Sequence, residues 1–195
     1  MIEFVNFIPL RDGLKLIPQP DVAYISIHDV NHEYTSRKNE AWGDNYEKQW
    51  GMYYSFGFED AAYDEELIKE FGKDFPKYYA DCLMPDKALD IIEAIIAITS
   101  NPNIKSIVIN CDSGRSRSAA VALFINTKYN IPLLHPVEYP NSLVTKLLND
   151  PTCYDQVFEE FVNQPLVGMK KKTAASSKND FFSKLSKLLT VLMGK

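Results

Sequence analysis

Cysteine is scarce in this chain. Its 195 residues hold three, Cys82, Cys111 and Cys153, and no two of them form a Cys-x-x-Cys pair. The three histidines, His28, His32 and His135, show no ligand spacing either. A disulfide scaffold and a zinc site are thereby disfavoured, and a reducing, cytoplasmic setting is expected. Long apolar runs are missing too: none approaches the roughly 18 residues of a membrane span. The opening "MIEFVNFIPLRDG" has no basic segment followed by an apolar one, so no secretory leader is expected. Positive charge is in deficit, at 21 Lys and Arg against 26 Asp and Glu, for a net charge of -5. That argues against a general nucleic-acid binder, although a local basic patch is compatible with it.

What is present reads as one α/β domain over residues 1–165. "DVAYISIHD" (21–29) is a short buried strand ending at polar residues, and "MYYSFGF" (52–58) alternates as a second strand. Between them, 32–51 is polar and aromatic without a clear period, and reads as a long irregular excursion. Tyr34, Trp42, Tyr46 and Trp50 in it are either surface cover or the wall of a pocket. "EDAAYDEE" suits a loop entering a helix. "MPDKALDIIEAIIAITSNPN" (84–103) is the clearest helix, with Pro85 at its start and Leu89, Ile92, Ile95 and Ile96 on one face. "IKSIVIN" (104–110) is a buried strand, "SRSAAVALFINTKY" (116–129) an apolar helix, and "PNSLVTKLLND" and "TCYDQVFEEFV" are two shorter helices. This alternation predicts a central, mostly parallel sheet flanked by helices. Residues 166–180 read as a flexible basic linker. Residues 181–195 read as an amphipathic helix, with Asp180 as its N-cap, suited to docking, self-association or an anionic membrane surface.

The stretch "INCDSGRSRSAA" (109–120) joins strand to helix and concentrates the chemistry. Such a loop points several backbone N–H groups at one spot, and the helix dipole favours an anion there. Gly114 permits a tight turn and a close approach of backbone to ligand. Arg117, in the first helical turn, offers a planar fork that matches two phosphate oxygens. Cys111 lies at the base of the same cradle, where donors fit for a phosphate would equally stabilise a thiolate and lower its pKa. A thiolate facing a bound phosphorus atom is a nucleophile in attack position. Ser118 can donate to the sulfur and ease its departure. The amides from Asp112 through Ser113, Gly114 and Arg115 to Ser116 would complete the cradle.

Cys111-Asp-Ser-Gly-Arg-Ser-Arg117-Ser118 resembles the Cys-x5-Arg-Ser/Thr signature of the cysteine-based protein tyrosine phosphatases, in particular the compact dual-specificity type with bacterial and phage relatives. "FED" (58–60), "LMPDKALDIIEAI" (83–95) and "YPNSLVTKLL" (139–148) fall in the order such relatives show, so the resemblance spans roughly residues 20 to 150. Low-molecular-weight phosphatases and arsenate reductases carry their loop near the N-terminus, and rhodanese-like enzymes space theirs differently. The resemblance implies a protein tyrosine phosphatase-like fold and a two-step hydrolysis of phosphotyrosine, and of phosphoserine or phosphothreonine, on proteins. Cys111 would take the phosphoryl group while an aspartic acid protonates the leaving oxygen, and neither metal nor organic cofactor is required. Asp60, directly after a predicted strand, is the favoured acid; Asp64 and Asp81 are its rivals.

One residue departs from the family pattern. Histidine usually precedes the nucleophile, and here the position is Asn110, whose amide can donate to the loop but carries no charge. A weakly active or inactive phosphate-binding reader is therefore the alternative function. A phosphoinositide phosphatase is the second alternative, with an RNA 5′-phosphate as a further substrate class. Arg115 favours polyphosphorylated substrates, and Asp112 opposes them by repelling polyanions.

Overall fold

Four β-rich segments pair side by side into one parallel sheet, in the order β1-β4-β2-β3, in a computed structural model that describes residues 1–30 and 34–163. The strands are β1 (Phe4–Pro9), β2 (Val22–His28), β3 (Met52–Gly57) and β4 (Ser106–Cys111), and all three ladders are parallel. The fold is thus α/β with an all-parallel sheet, where the sequence predicts a mostly parallel one. β1 pairs with β4 from Phe4 opposite Ser106 to Pro9 opposite Cys111. The sequence pattern did not mark β1, because its six residues end at a proline and alternate only briefly. Its edge position tolerates that proline, which has no N–H to offer a ladder.

The expected helices appear in order, among others that the sequence pattern did not mark. α1 (Leu10–Gly13) is a single turn after β1, and α2 (Tyr34–Trp42) lies between β2 and β3. α3 (Glu65–Phe71) and α4 (Phe75–Tyr79) follow β3, and α5 (Pro85–Ser100) leads towards β4. α6 (Arg117–Tyr129), α7 (Ser142–Asn149) and α8 (Asp155–Val157) complete the set, with α8 running into a π-helical turn at Phe158–Val162. α5 starts on Pro85, which lacks only an N–H that the first turn leaves unbonded anyway. Segment 32–51 is a correction. Within it lie α2 and a 3-10 turn at Tyr46–Gln49, although its sequence shows no apolar stripe at helical spacing.

Alternation along the strands gives the sheet two different faces. Ile25, Ile27, Ile107 and Ile109 join the aliphatic core with Ile91, Ile92 and Ile95 of α5 and Val121 and Ile125 of α6. Each such side chain contributes about 1.5–3 kcal/mol on burial. Tyr24 and Val108 look the other way and pack with Trp42, Tyr46 and Trp50. Tyr24 lies 4.5 Å from Trp50 and 5.2 Å from Trp42 between ring centroids. These contacts hold 34–51 on the sheet without any helical periodicity in its sequence. Among the described residues no helix is long and apolar enough to cross a membrane. The expected linker and terminal helix lie outside the described residues.

Candidate functional site

β4 ends on Cys111 and α6 begins on Arg117, so the intervening loop sits where a strand's C-terminal end meets a helix N-terminus. Two contacts fix its shape. The Leu10 amide donates to the Asp112 carbonyl at 3.3 Å. Gly114 adopts φ +69°, and a Cβ there would overlap the backbone of Ile8 and Pro9. Only glycine meets both requirements. The otherwise unmarked strand β1 therefore supplies the floor under the loop.

Cys111 is fully buried at the base of this loop. Burial pushes its thiol pKa up, but the Ser118 side chain and the amides of Ser118, Ser116 and Gly114 more than offset that. The net effect holds Cys111 below the ordinary cysteine value. Ser118 Oγ lies 3.2 Å from Sγ. Cys82 and Cys153 behave in the opposite way, pushed up by burial. All three cysteines are unpaired.

Arg117 is 3% exposed, and its charge is met by Asp29, at 2.6 Å from Nη1 to Oδ1. The same nitrogen donates to the Phe58 carbonyl. Nε is buried and makes no hydrogen bond. A buried guanidinium donor without a partner is costly unless a ligand satisfies it. Arg117 lines an open cleft of about 290 Å³ with Asp29, Glu59, Asp60, Ala61, Asp112 and Ser113. Of the two readings left open for the 32–51 aromatics, Trp42, Tyr46 and Trp50 do not line this cleft; they cover the sheet's aromatic face.

Of the three candidate acids, Asp60 is the one brought to the loop. Its Oδ1 accepts from Ser116 Oγ at 2.7 Å and from Asn141 Nδ2 at 2.9 Å. Both bonds fall on Oδ1. Asp64 instead caps α3, accepting from the Leu67 amide at 2.9 Å. Asp81 is exposed, and its carbonyl accepts from the Glu59 amide, which ties the turn before α5 to the segment carrying Asp60. Asp112, Ser113 and Arg115 are exposed on the loop, whereas Gly114 is buried.

Two participants escaped the sequence reading. Asp29 follows directly on β2, at the same sheet edge as the loop, and that position at a parallel strand's C-terminal end is the signal that could have found it. Asn141 joins three parts: its Oδ1 caps α7 through the Val144 amide, its Nδ2 reaches Asp60, and its own amide donates to the Ser116 carbonyl. The run "PNS" ahead of an apolar helix carries the capping signal, though not the reach to Asp60.

Asn110 behaves differently from its expected role. It is fully buried, and neither Nδ2 nor Oδ1 has a hydrogen-bond partner, so the amide does not brace the loop. It projects from β4 on the side opposite Ile109 and Cys111, with Ser26 beside it in register. Among the described residues no cluster of His, Cys, Asp and Glu fits a metal ion. No protein-family model, curated protein or solved structure matches this chain.

Proposed function

We propose that this chain is a phosphomonoester hydrolase of the cysteine-based protein tyrosine phosphatase type, with a compact dual-specificity-like fold. Its substrates are phosphotyrosine proteins, and also proteins phosphorylated on serine or threonine, in a reducing cytoplasmic setting. The observation carrying this reading is what one strand-loop-helix turn brings together: a buried thiol with lowered pKa at its base, an unpartnered buried Arg117 Nε, and Asp60 held against the loop through Ser116.

In the first step the Cys111 thiolate attacks phosphorus, the ester P–O bond breaks, and Asp60 gives its proton to the departing oxygen. Loop amides and Arg117 Nε stabilise the charge on the non-bridging oxygens. In the second step the Asp60 carboxylate takes a proton from water as that water attacks phosphorus, and the P–S bond breaks. Ser118, 3.2 Å from the sulfur, stabilises the thiolate as it leaves. This chemistry calls on no metal or organic cofactor.

The test is phosphate release from an aryl phosphate and a phosphotyrosine peptide between pH 5 and 8. Cys111→Ser should abolish turnover. Asp60→Asn should lower kcat by about 10²–10⁴-fold and change the acid limb of the profile. The phosphate-binding reader is the second reading, and Asn110 favours it through the support it fails to give the loop. Tight phosphopeptide binding by an inert wild type would decide for the reader.

A further inference from the structure

The charged lining of the cleft is mostly acidic. Arg117, whose buried Nε has no partner, is the group in it that attracts a phosphate, and the loop amides that face Cys111 belong to the same turn. Carboxylates rim the cleft. Asp29, Glu59, Asp60 and Asp112 all line it, and Arg117 is the sole cationic residue that does so among the described residues. Asp29 is already neutralised by Arg117 at 2.6 Å. Asp60 is the proton donor of the proposed reaction, so Glu59 and Asp112 set the sign of the rim. Two further cations do not join the lining: Arg115 is exposed on the loop outside it, and Lys87 Nζ is engaged at the Gly57 carbonyl.

One phosphate satisfies Arg117 Nε and the loop amides, and a second negative charge on the substrate then meets the rim carboxylates. Like charges juxtaposed at a recognition site penalise the wrong partner, and the penalty falls with ionic strength where the charges are solvent-exposed. Resting on the phosphatase-type reading of the loop, we propose that the rim makes this site selective for phosphotyrosine segments flanked by basic or neutral residues. Peptides with acidic flanks and polyphosphorylated headgroups are rejected by the same charges.

The experiment uses the full chain as Cys111→Ser, with labelled phosphotyrosine peptides of one sequence flanked by Lys, Ala or Glu. Affinity is read by fluorescence anisotropy at low and high salt. The lysine-flanked peptide should bind about tenfold more tightly than the glutamate-flanked one at low salt, and the gap should narrow several-fold on screening. Adding Glu59→Gln should shrink the ratio at low salt. Seven lysines and one acidic residue lie after residue 163, and they would pull the other way, so a preference for lysine flanks reads the cleft. Equal or tighter binding of the glutamate-flanked peptide overturns the proposal. So do tighter binding of an inositol bisphosphate headgroup, a ratio indifferent to Glu59→Gln, and absence of binding by any peptide. Aryl phosphate turnover by the wild type tests the hydrolase reading separately. An inert wild type whose Cys111→Ser form still prefers lysine flanks would sink hydrolysis and leave the selectivity standing.

Discussion

At the scale of single residues, the site depends on how a few polar atoms are shared. Cys111 shows the competition most directly: burial alone would make it a poorer acid, and the Ser118 hydroxyl and three amides reverse that. Thiolate absorbance near 240 nm should therefore show one group titrating below the free-cysteine value, lost in Cys111→Ser. The other two cysteines should titrate above it. Arg117 divides its donors in a similar way. Asp29 and the Phe58 carbonyl hold Nη1, and Nε makes no hydrogen bond. Asp29→Asn should let the guanidinium swing, raising KM for an aryl phosphate about tenfold with a smaller effect on kcat. A lower KM would instead mean that Asp29 competes with the phosphate for the arginine.

At the scale of elements, helix ends and strand ends do the positioning. α7 is far from Cys111 in sequence, yet its N-cap residue Asn141 ties Asp60 to the loop through Ser116. Asn141→Ala should cost about 1 kcal/mol of stability through the lost cap and should also lower kcat, because Asp60 loses a tether. Asn141→Asp separates the two roles. A carboxylate retains the cap, so the melting temperature should recover, but it cannot donate to Asp60, so activity should not. The pair of variants, followed by thermal melts and steady-state kinetics, checks both halves. The same reasoning shows why "PNSLVTKLLND" reads as a helix while the link of its cap to the site stays hidden. A cap is a local bond between residues three apart, whereas the Asp60 contact spans 81 positions.

At the scale of the whole molecule, the two faces of the sheet are stabilised differently. One is aliphatic, beneath α5 and α6; the other is aromatic, and it buries Lys38 to 1% exposure beside Tyr53. Lys38 Nζ donates to Tyr53 Oη at 2.7 Å and lies 5.4 Å from the ring centroid. Desolvation nevertheless lowers its pKa to about 8, against the opposing pull of Glu47. The unfolded chain then holds this proton more firmly than the folded one. Stability is reduced below pH 8 and recovers as pH rises from about 8 towards the free-lysine value, an effect on the order of 3 kcal/mol. Lys38→Met should be the more stable protein at pH 7, and its advantage should shrink by pH 10. Denaturant unfolding of both proteins at the two pH values checks the sign.

The sequence by itself determined the strand-loop-helix unit at 104–129, the strands flanking 32–51, the helix from Pro85, and the loop that carries Cys111, Gly114, Arg117 and Ser118. Each of these is written in short-range periodicity or in the spacing of a few neighbouring residues. Tertiary structure decided the rest. It added β1 as the strand beside β4, whose backbone leaves room only for Gly114. It folded 34–51 onto Tyr24 through ring packing that no helical period announces. From three candidate carboxylates it brought Asp60 to the loop and gave Asp64 a capping role. It also turned Asn110 away from the loop, and it set Asp29 against Arg117 across 88 positions of chain. The physical reason is common to all of them: a bond between distant residues exists only once the sheet has ordered its strands, and local pattern does not encode that order.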